Sequence, residues 1–298
     1  MRPSWLLGLL LLPSALRADD VASLVLPPLG KPAYRFVHPR ILFDEGHHNV
    51  HYHTTGYSPF AEVLSHDGYR LEAIREPFTR ENLKPARVLV IVNPRSAGRE
   101  LPITERGHPA FTPEECAAVD GWVKGGGSLL LIADHYPIGS ATQRLADRFG
   151  VLMSNGFTID PAFALSDLPR SETITFRRDQ GRLGDHPILR GRNAKERIDV
   201  VQTFSGQSLL GPRGSTALLL LSDQAQDEQP PDHVRKVSAK GRCQGLAFSH
   251  GRGRVVVIAE AQSLTDIISD GKFTGFGRKD NDNLKFVFNI LHWLTRKL

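Results

Sequence analysis

A glycine turn, an unbroken apolar run, and then an acid and a histidine form the feature that most constrains this chain. The stretch runs from Gly125 to Pro137 and reads GGGSLLLIADHYP. A short apolar run bounded by turn residues is typical of a strand buried on both faces, as in the centre of a parallel sheet. Asp134 and His135 would then lie at its carboxyl end, where open α/β sheets bind ligands. We expect any functional site to begin there.

Comparable apolar runs alternate with helical patterns along the chain. Strands are predicted at 39–44, 68–74, 87–92, 197–204, 216–221, 244–248 and 254–260, and helices at 57–65, 79–83, 112–124, 141–149 and after 281. Thr112 and Glu115 have the spacing of a capping box at the start of the third helix. Alternation of strand and helix predicts parallel pairing with right-handed crossovers. The simplest architecture is α/β, a flavodoxin-like doubly wound, mostly parallel sheet, with a hairpin around 251–253.

The first 18 residues have the layout of a secretory signal peptide, with a basic start, an apolar stretch and small residues before Ala18. That stretch is shorter than the roughly 20 residues of a bilayer span. We expect an exported protein, periplasmic or secreted, with no transmembrane span in the mature chain; an uncleaved anchor is the alternative. Residues 19–298 are predicted to form a single α/β domain with an irregular insertion at about 151–191.

Composition and charge limit the kinds of molecule that the protein is expected to bind. The net charge is +5, but the basic residues are scattered and have no interleaved aromatic residues. This distribution favours a solvated surface and no nucleic-acid partner. Cys116 lies in a predicted helix and Cys243 in a predicted strand, so we expect two separate thiols. The oligomeric state is left open.

Acidic and amide side chains follow several predicted strands: Asp44, Asn93, Asp134 with His135, and Glu260. If the strands are parallel, these residues converge on one edge of the sheet. Carboxylates in such a crevice can share protons, orient sugar hydroxyls or hold a cation. In a catalytic site, His135 would be the acid or base, Asp134 would orient it, and the other two carboxylates would support them. In a structural role, Asp134 would cap the next helix.

Four histidines at 47, 48, 51 and 53 suggest a metal hypothesis, because imidazole binds zinc, copper, nickel and iron. The candidate ligands are Asp44, His47 and His135, and the ion would be a divalent metal that activates water. No zinc-ligand spacing is present, so no cofactor is assigned. Asp44 and His47 can equally serve a site without metal.

Other candidate ligand-binding residues stand in turns. Asn49 follows the first histidines, and Gly206 and Gln207 follow a predicted strand, where backbone amides can face the oxygens of a ligand. For Gly206 and Gln207, the alternative is a turn that binds no ligand. Asp282 precedes the last helix, where it can contact a ligand or cap the helix.

Several segments resemble the uncharacterised DUF4350 proteins. They are ILFDE at 41–45 with His47 and Asn49, GSLLLIADH at 127–135, FSGQSL at 204–209, and the segment from Asp282 to Leu294. That family is similar in fold to class I glutamine amidotransferase-like domains, which include ThuA-like proteins, the gliding-motility GldG type and β-galactosidase trimerisation domains. The segment DHPI at 185–188 also resembles ThuA-like proteins. The resemblance implies a glutamine amidotransferase-like fold.

One departure separates this chain from active amidotransferases. Those enzymes carry a nucleophilic cysteine on a tight strand-to-helix turn, because a thiolate attacks the amide carbonyl. The corresponding turn here carries Asp134, His135 and Tyr136. We therefore expect no amidotransferase activity.

Two functional hypotheses follow. In the first, the strand-end crevice binds a small polar ligand, and the fold relatives suggest a carbohydrate and hydrolase chemistry. In the second, the domain is a non-catalytic interaction or scaffold module of an envelope assembly, as the GldG resemblance suggests. A pocket at the strand ends would favour the first hypothesis, and a filled crevice with an exposed apolar patch would favour the second.

Overall fold

The computed structural model describes residues 30–163, 173–269 and 272–298, without the side chains of 268, 269, 272 and 273. The predicted signal peptide at 1–18 lies outside the described residues, as does part of the predicted insertion, 164–172. No helix within the described ranges is long and apolar enough to span a bilayer.

Helices and short strands alternate through the first half of the chain. The helices are α1 (Ser58–His66), α2 (Arg80–Leu83), α3 (Ile103–Arg106), α4 (Pro113–Lys124), α5 (Ile138–Arg148), α6 (Pro187–Arg190) and α7 (Asn283–Leu294), with a 3₁₀ helix at Gln262–Leu264. The strands are β1 (Arg40–Asp44), β2 (Arg70–Ile74), β3 (Val88–Val92), β4 (Ser128–Ile132), β5 (Leu152–Met153), β6 (Phe157–Ile159), β7 (Ile174–Arg177), β8 (Val200–Thr203), β9 (Leu209–Leu210), β10 (Thr216–Leu220), β11 (Gln226–Glu228), β12 (Lys236–Ser238), β13 (Cys243–His250), β14 (Gly253–Ile258), β15 (Asp266–Ser269) and β16 (Lys272–Gly275).

The central sheet contains five neighbouring parallel strands in the order β2-β1-β3-β4-β14. This is the flavodoxin-like order, with β14 in the fifth place. Ile132 at the end of β4 is level with Val92 on one side and with Ile258 on the other. The residues that follow these three strands therefore leave the sheet at the same height. The predicted flavodoxin-like fold is confirmed.

The sheet continues beyond β14 with antiparallel strands. The predicted hairpin is present, since β13 pairs antiparallel with β14, and β9, β10 and β5 extend the sheet on that side. The predicted strand at 197–204 is shorter than expected and pairs with β7 in a separate two-stranded sheet. A three-stranded sheet of β12, β11 and β6 lies outside the central sheet as well.

Two apolar cores lie on the two faces of the sheet. Along β4, Leu130 and Ile132 belong to one core, while Leu129 and Leu131 belong to the other. Side chains alternate between the faces of a strand, so a strand that is apolar at every position must be covered on both sides. Helices α1 and α7 cover the first face, and α4 and α5 cover the second. The arrangement leaves the carboxyl ends of the strands as the polar edge.

Local contacts explain where α4 begins. Thr112 accepts a hydrogen bond from the backbone of Glu115, whose side chain accepts one from the backbone of Thr112, so the predicted capping box is formed.

Asp282 is different, because at the N-cap of α7 its side chain makes no capping bond to the helix. Cys116 in α4 and Cys243 in β13 are both buried, free thiols.

Candidate functional site

Four polar residues lie at the carboxyl ends of the parallel strands. Asp44 is the last residue of β1, Asn93 follows β3, Asp134 follows β4 by two positions, and Glu260 follows β14 by two positions. Because these strands run in the same direction, all four residues lie at one edge of the sheet. The expected convergence at this edge is therefore present in the backbone, and the side-chain contacts decide which residues form a site.

Asp134 bridges the ends of β3 and β14. Its Oδ1 accepts a hydrogen bond from the backbone of Ala261 at 2.7 Å, and its Oδ2 accepts one from Nδ2 of Asn93 at 2.5 Å. The backbone of Asp134 in turn donates to Oδ1 of Asn93 at 3.0 Å. Asn93 holds this position with a left-handed backbone (φ 45°), a conformation more accessible to asparagine than to most residues. Two neighbouring strands thus fix the orientation of one carboxyl group.

Glu260 is fully buried beside Asp134. Its two carboxyl oxygens accept hydrogen bonds from the backbone amides of Gln262 at 2.7 Å and Ser263 at 2.8 Å. Burial raises the pKa of both carboxyl groups, and the negative charge of Asp134 raises the pKa of Glu260 further. Hydrogen bonds from Asn93 and the backbone oppose these shifts without cancelling them. We call Asp134 and Glu260 the carboxyl pair; it retains a proton at pH values where ordinary carboxyl groups are ionised.

Tyr57 covers the pair from the side of α1. Its hydroxyl donates a hydrogen bond of 2.6 Å to the carbonyl oxygen of Ala261, the residue that also binds Asp134. The ring is fully buried, and burial and the carboxyl pair together raise the pKa of the phenol well above its usual value. The sequence contains no signal for Tyr57, because only its distant partner at position 261 distinguishes it from an ordinary core tyrosine.

Gly206 and Gln207 support the strand ends. The side-chain amide of Gln207 donates to the carbonyl oxygens of Ala133 and Asp134, at 3.0 Å and 2.9 Å. A Cβ atom on Gly206 would lie 2.6 Å from the carbonyl oxygen of Ala259, so this position requires glycine. Both residues were predicted to bind a ligand, and the contacts show that they position the backbone around the carboxyl pair.

Asp44 and His47 form a separate buried cluster. Nδ1 of His47 lies 2.7 Å from Oδ1 of Asp44, and Nε2 lies 2.9 Å from Oε1 of Glu115 in α4. The imidazole also packs on the rings of Phe78 and Phe111, at centroid distances of 4.8 Å and 4.5 Å. Although burial lowers the pKa of His47, the two carboxylates raise it above its usual value. We call His47, Asp44 and Glu115 the His47 clamp.

Asn49 completes the turn after β1. Its Nδ2 donates to Oδ2 of Asp44 at 3.0 Å and to the carbonyl oxygen of Val92 at 3.1 Å, while its Oδ1 accepts from the backbone of His47. Asp44, His47 and Asn49 were predicted to be site residues. In the structure they bind one another and tie the turn to β3, so they position the edge.

His135 points away from the carboxyl pair, toward the short β6 strand. Its ring lies 4.9 Å from that of Phe157, edge to face, and Phe157 lies 6.4 Å from the ring of His233. Nδ1 of His135 contacts the carbonyl oxygen of Tyr136 at 3.1 Å. Burial lowers the pKa of His135, and the nearby imidazole of His233 lowers it further. The expectation that Asp134 orients His135 is therefore wrong, because both oxygens of that carboxyl group are bonded elsewhere.

The remaining predicted residues do not meet at the pair. Asp282 accepts hydrogen bonds from the backbones of Asp199 and Val200, at 2.8 Å and 3.1 Å, and also binds Lys285. For the proposed metal, the described part of the chain contains no group of three or more His, Cys, Asp or Glu side chains that could hold an ion. His47 has a carboxylate partner at each ring nitrogen, which leaves neither nitrogen free to bind a metal in this structure.

Comparison with known proteins identifies the fold and no closer relationship. The chain is similar to the N-terminal domain of mmIFT52, with a TM-score of 0.60 and 15% identity over 86% of this chain and 97% of that one. A ThuA-like protein of Bacteroides uniformis matches with a TM-score of 0.43 and 12% identity, over 89% and 95% of the two chains. A GMP synthase-like protein of Thermoplasma acidophilum matches with a TM-score of 0.45 and 10% identity, over 88% and 96%.

No family model matches the sequence, and no curated protein matches it. The motifs suggest that this chain belongs to the DUF4350 proteins, and this assignment stays a prediction. The turn after β4 carries Asp134, and both cysteines are buried elsewhere, in α4 and β13. A shared fold does not by itself show a shared activity, so the function has to be inferred from the residues of the site.

Proposed function

We propose that this chain binds a small polar ligand of carbohydrate type at the carboxyl ends of β1, β3, β4 and β14, and that the carboxyl pair acts on it by acid–base hydrolysis. The observation that carries the proposal is the convergence of two carboxyl groups, Asp134 and Glu260, at the topological switch edge of the sheet, where burial raises the pKa of both. Burying two acids in this way destabilises the fold, and perturbed acids in such positions are concentrated at functional sites. The carbohydrate class rests only on the fold-level relatives that the sequence motifs suggest.

The roles of the two acids follow from their exposure. Glu260 is fully buried, whereas Asp134 keeps partial exposure, so Asp134 is the group that meets the ligand. When both groups are protonated, Asp134 donates its proton to the oxygen of the bond that breaks. The carboxylate of Asp134 then takes a proton from the attacking water, while Glu260, whose pKa the charge of Asp134 raises further, keeps its own proton.

A scaffold role is the second candidate. The observation that favours it is the internal pairing of the edge: both oxygens of Asp134, Glu260 and Asp44 accept hydrogen bonds from the protein itself. In addition, a cavity of about 180 Å³ lies elsewhere, between α7 and the end of α1. A scaffold would use the carboxyl pair only as part of its internal hydrogen-bond network.

The experiment that tests the proposal is a glycan-binding screen followed by hydrolysis assays on the glycans that bind. Wild-type protein is compared with Asp134→Asn and with the matched control Asp223→Asn, whose carboxylate is exposed and pairs with Lys240. Calorimetry in two buffers of different ionisation enthalpy measures the protons exchanged on binding. We expect wild type and Asp223→Asn to bind and hydrolyse the same glycan, and Asp134→Asn to lose hydrolysis and proton exchange. Absence of any bound glycan would favour the scaffold, and equal turnover by Asp134→Asn would overturn the catalytic role of the carboxyl pair.

We also propose that the protein is exported, on the basis of the leader pattern alone. Expression of the full chain with a C-terminal tag, followed by N-terminal sequencing of the product, tests this. A mature product that begins soon after Ala18 and is recovered outside the cytoplasm is expected. Recovery of an uncleaved cytoplasmic product would contradict the proposal.

A further inference from the structure

Arg95 is a buried cation at the polar edge of the sheet. It follows β3 by three positions and is only 7% exposed. Its backbone donates to the carbonyl oxygen of His47, and its Nε donates to the carbonyl oxygen of His48, both at 2.8 Å. The neighbouring turn is fixed as well, because Val50 donates to the carbonyl oxygen of Asn93 at 3.0 Å. Arg95 is thus held rigidly between two turns at the switch edge.

The guanidinium of Arg95 has no carboxylate partner among the described residues. Its hydrogen bond to His48 uses only Nε, and its terminal nitrogens bind nothing within the described ranges, although they are not enclosed. The nearby acid, Glu100, folds its carboxylate against Gly98 in its own turn. Arginine is almost never buried without a paired anion, because an unpaired charge loses its hydration and gains nothing in return. The site therefore has a positive charge and open donors with no hydrogen-bonded anion among the described residues, and Glu100 acts on this charge only from a distance.

Two more arginines, Arg99 and Arg106, lie near Arg95. Burial lowers the pKa of the Arg95 guanidinium, Arg99 and Arg106 lower it further, and Tyr52 and Glu100 act in the opposite direction. The backbone of Ser96 donates to the carbonyl oxygen of Arg106. Nε of Arg106 is buried and has no hydrogen-bond partner in the described structure. Like charges repel, so three guanidinium groups at one edge destabilise the free protein. We call Arg95, Arg99 and Arg106 the arginine cluster.

We propose that the arginine cluster binds an oxyanion group, a phosphate, sulfate or carboxylate, on the ligand of the strand-end site. Guanidinium groups bind such oxyanions through paired N–H donors, which fits the open terminal nitrogens of Arg95. The inference rests on the proposed function for the location of the rest of the ligand, and it adds that this ligand is anionic. The evidence for the arginine cluster comes from the burial and contacts of its own residues and does not depend on the proposed function.

A chain of contacts connects the cluster with the carboxyl pair. Arg95 and Arg99 act on the buried His51, whose ring lies 5.4 Å from that of Tyr57. Tyr57 in turn binds the carbonyl oxygen of Ala261, next to the pair. Burial and the two arginines lower the pKa of His51 to about 4, so this imidazole is neutral at physiological pH. The arginine cluster and the carboxyl pair thus lie at the same edge of the sheet, joined through the buried side chains of His51 and Tyr57.

Calorimetric titration of the full chain with inorganic phosphate, and separately with sulfate, tests the proposal. Chloride compensates for ionic strength, because general screening also weakens charge interactions. The variants are Arg95→Gln, Arg99→Ala and the matched control Arg213→Ala, an exposed arginine between β9 and β10. Wild type and Arg213→Ala should bind the anion, whereas Arg95→Gln and Arg99→Ala should each bind about tenfold more weakly, as expected for the loss of one charge-assisted contact.

Each other result contradicts the proposal. No binding of either anion by wild type would overturn it, and so would equal binding by all variants, since the anion would then bind elsewhere. If Arg95→Gln fails to fold, Arg99→Ala decides, because that side chain is exposed. Phosphate binding requires no turnover, so an Asp134→Asn variant that binds phosphate but hydrolyses nothing separates this inference from the proposed function.

Discussion

Replacement of Glu260 by glutamine should change how the stability of the protein depends on pH. The carboxyl of Glu260 is fully buried, and burial and the charge of Asp134 raise its pKa above the ordinary value of 4.5. When the folded-state pKa is raised, the folded protein binds the proton more tightly than the unfolded chain. The contribution of this proton to stability is complete below about pH 4 and is lost as the pH rises through the folded-state pKa.

The size of the effect follows from the same linkage. One proton changes the free energy of unfolding by at most about 1.4 kcal/mol per pH unit. Between about pH 5 and pH 7 the unfolded glutamic acid is ionised while the folded group keeps its proton, so the wild type should lose roughly 2 to 3 kcal/mol through this group. Glu260→Gln cannot ionise and should lack this slope.

The variant should also be less stable at low pH. A glutamine side chain has one carbonyl oxygen for the two backbone amides of Gln262 and Ser263, so one donor stays unpaired at a cost of about 1 to 3 kcal/mol. The difference between wild type and variant should therefore be greatest near about pH 5 and shrink toward about pH 8. Urea denaturation across this range measures the difference, with Glu62→Gln on the exposed face of α1 as the matched control.

Asp134 also has a raised pKa, so it gives a pH-dependent slope in both wild type and variant, and groups outside the pair act in the same way. Burial raises the pKa of Asp266 to about 6, and its carboxylate neighbours raise the pKa of His47. Both groups are present in wild type and variant, so their contributions cancel in the comparison. Parallel stability curves for wild type and Glu260→Gln would refute the argument, because they would mean that Glu260 is ionised in the folded protein throughout this range.

Two further substitutions test the supports of the site by urea denaturation. Gly206→Ala should destabilise the protein by about 1 to 3 kcal/mol, because the added methyl would lie 2.6 Å from the carbonyl oxygen of Ala259. The control Gly121→Ala has open space around the new methyl in α4, so it should be neutral or stabilising. Equal effects of the two substitutions would contradict the steric argument. His47→Ala should cost about 3 to 5 kcal/mol, because it leaves two buried carboxylates without their shared partner, and a loss below about 1 kcal/mol would show that the His47 clamp is not a stabilising network.

The main elements of the fold could be predicted from local patterns. The four consecutive apolar residues of β4, at 129–132, required cover on both faces, and both cores are present. The capping box at Thr112 also follows from residues only three positions apart. In contrast, β11 and β12 are short and polar, so no period-two apolar pattern marks them, and the burial of β8 depends on its pairing with β7.

The candidate site shows the same division between local and long-range information. That acids follow the strands is visible in the sequence, and the parallel topology brings them to one edge. The pairing of Asp134 with Glu260 depends on β14 lying next to β4, although these strands are far apart in the chain. Glu115 could be predicted as a capping residue, but its contact with His47 spans 68 residues and has no local signal.

The carboxyl pair and the arginine cluster are consistent with each other electrostatically. If both Asp134 and Glu260 were ionised, they would repel an anionic ligand that the arginines attract. Because burial raises the pKa of both acids, the pair holds a proton and carries less negative charge, which removes part of that repulsion. The bound anion would in turn favour the protonated pair, since its own charge opposes ionisation of the acids. Binding of the anion and protonation of the carboxyl pair should therefore strengthen each other. Affinity for sulfate, whose own charge stays constant across this range, should fall in wild type as the pair ionises with rising pH, and the fall should be smaller in Asp134→Asn.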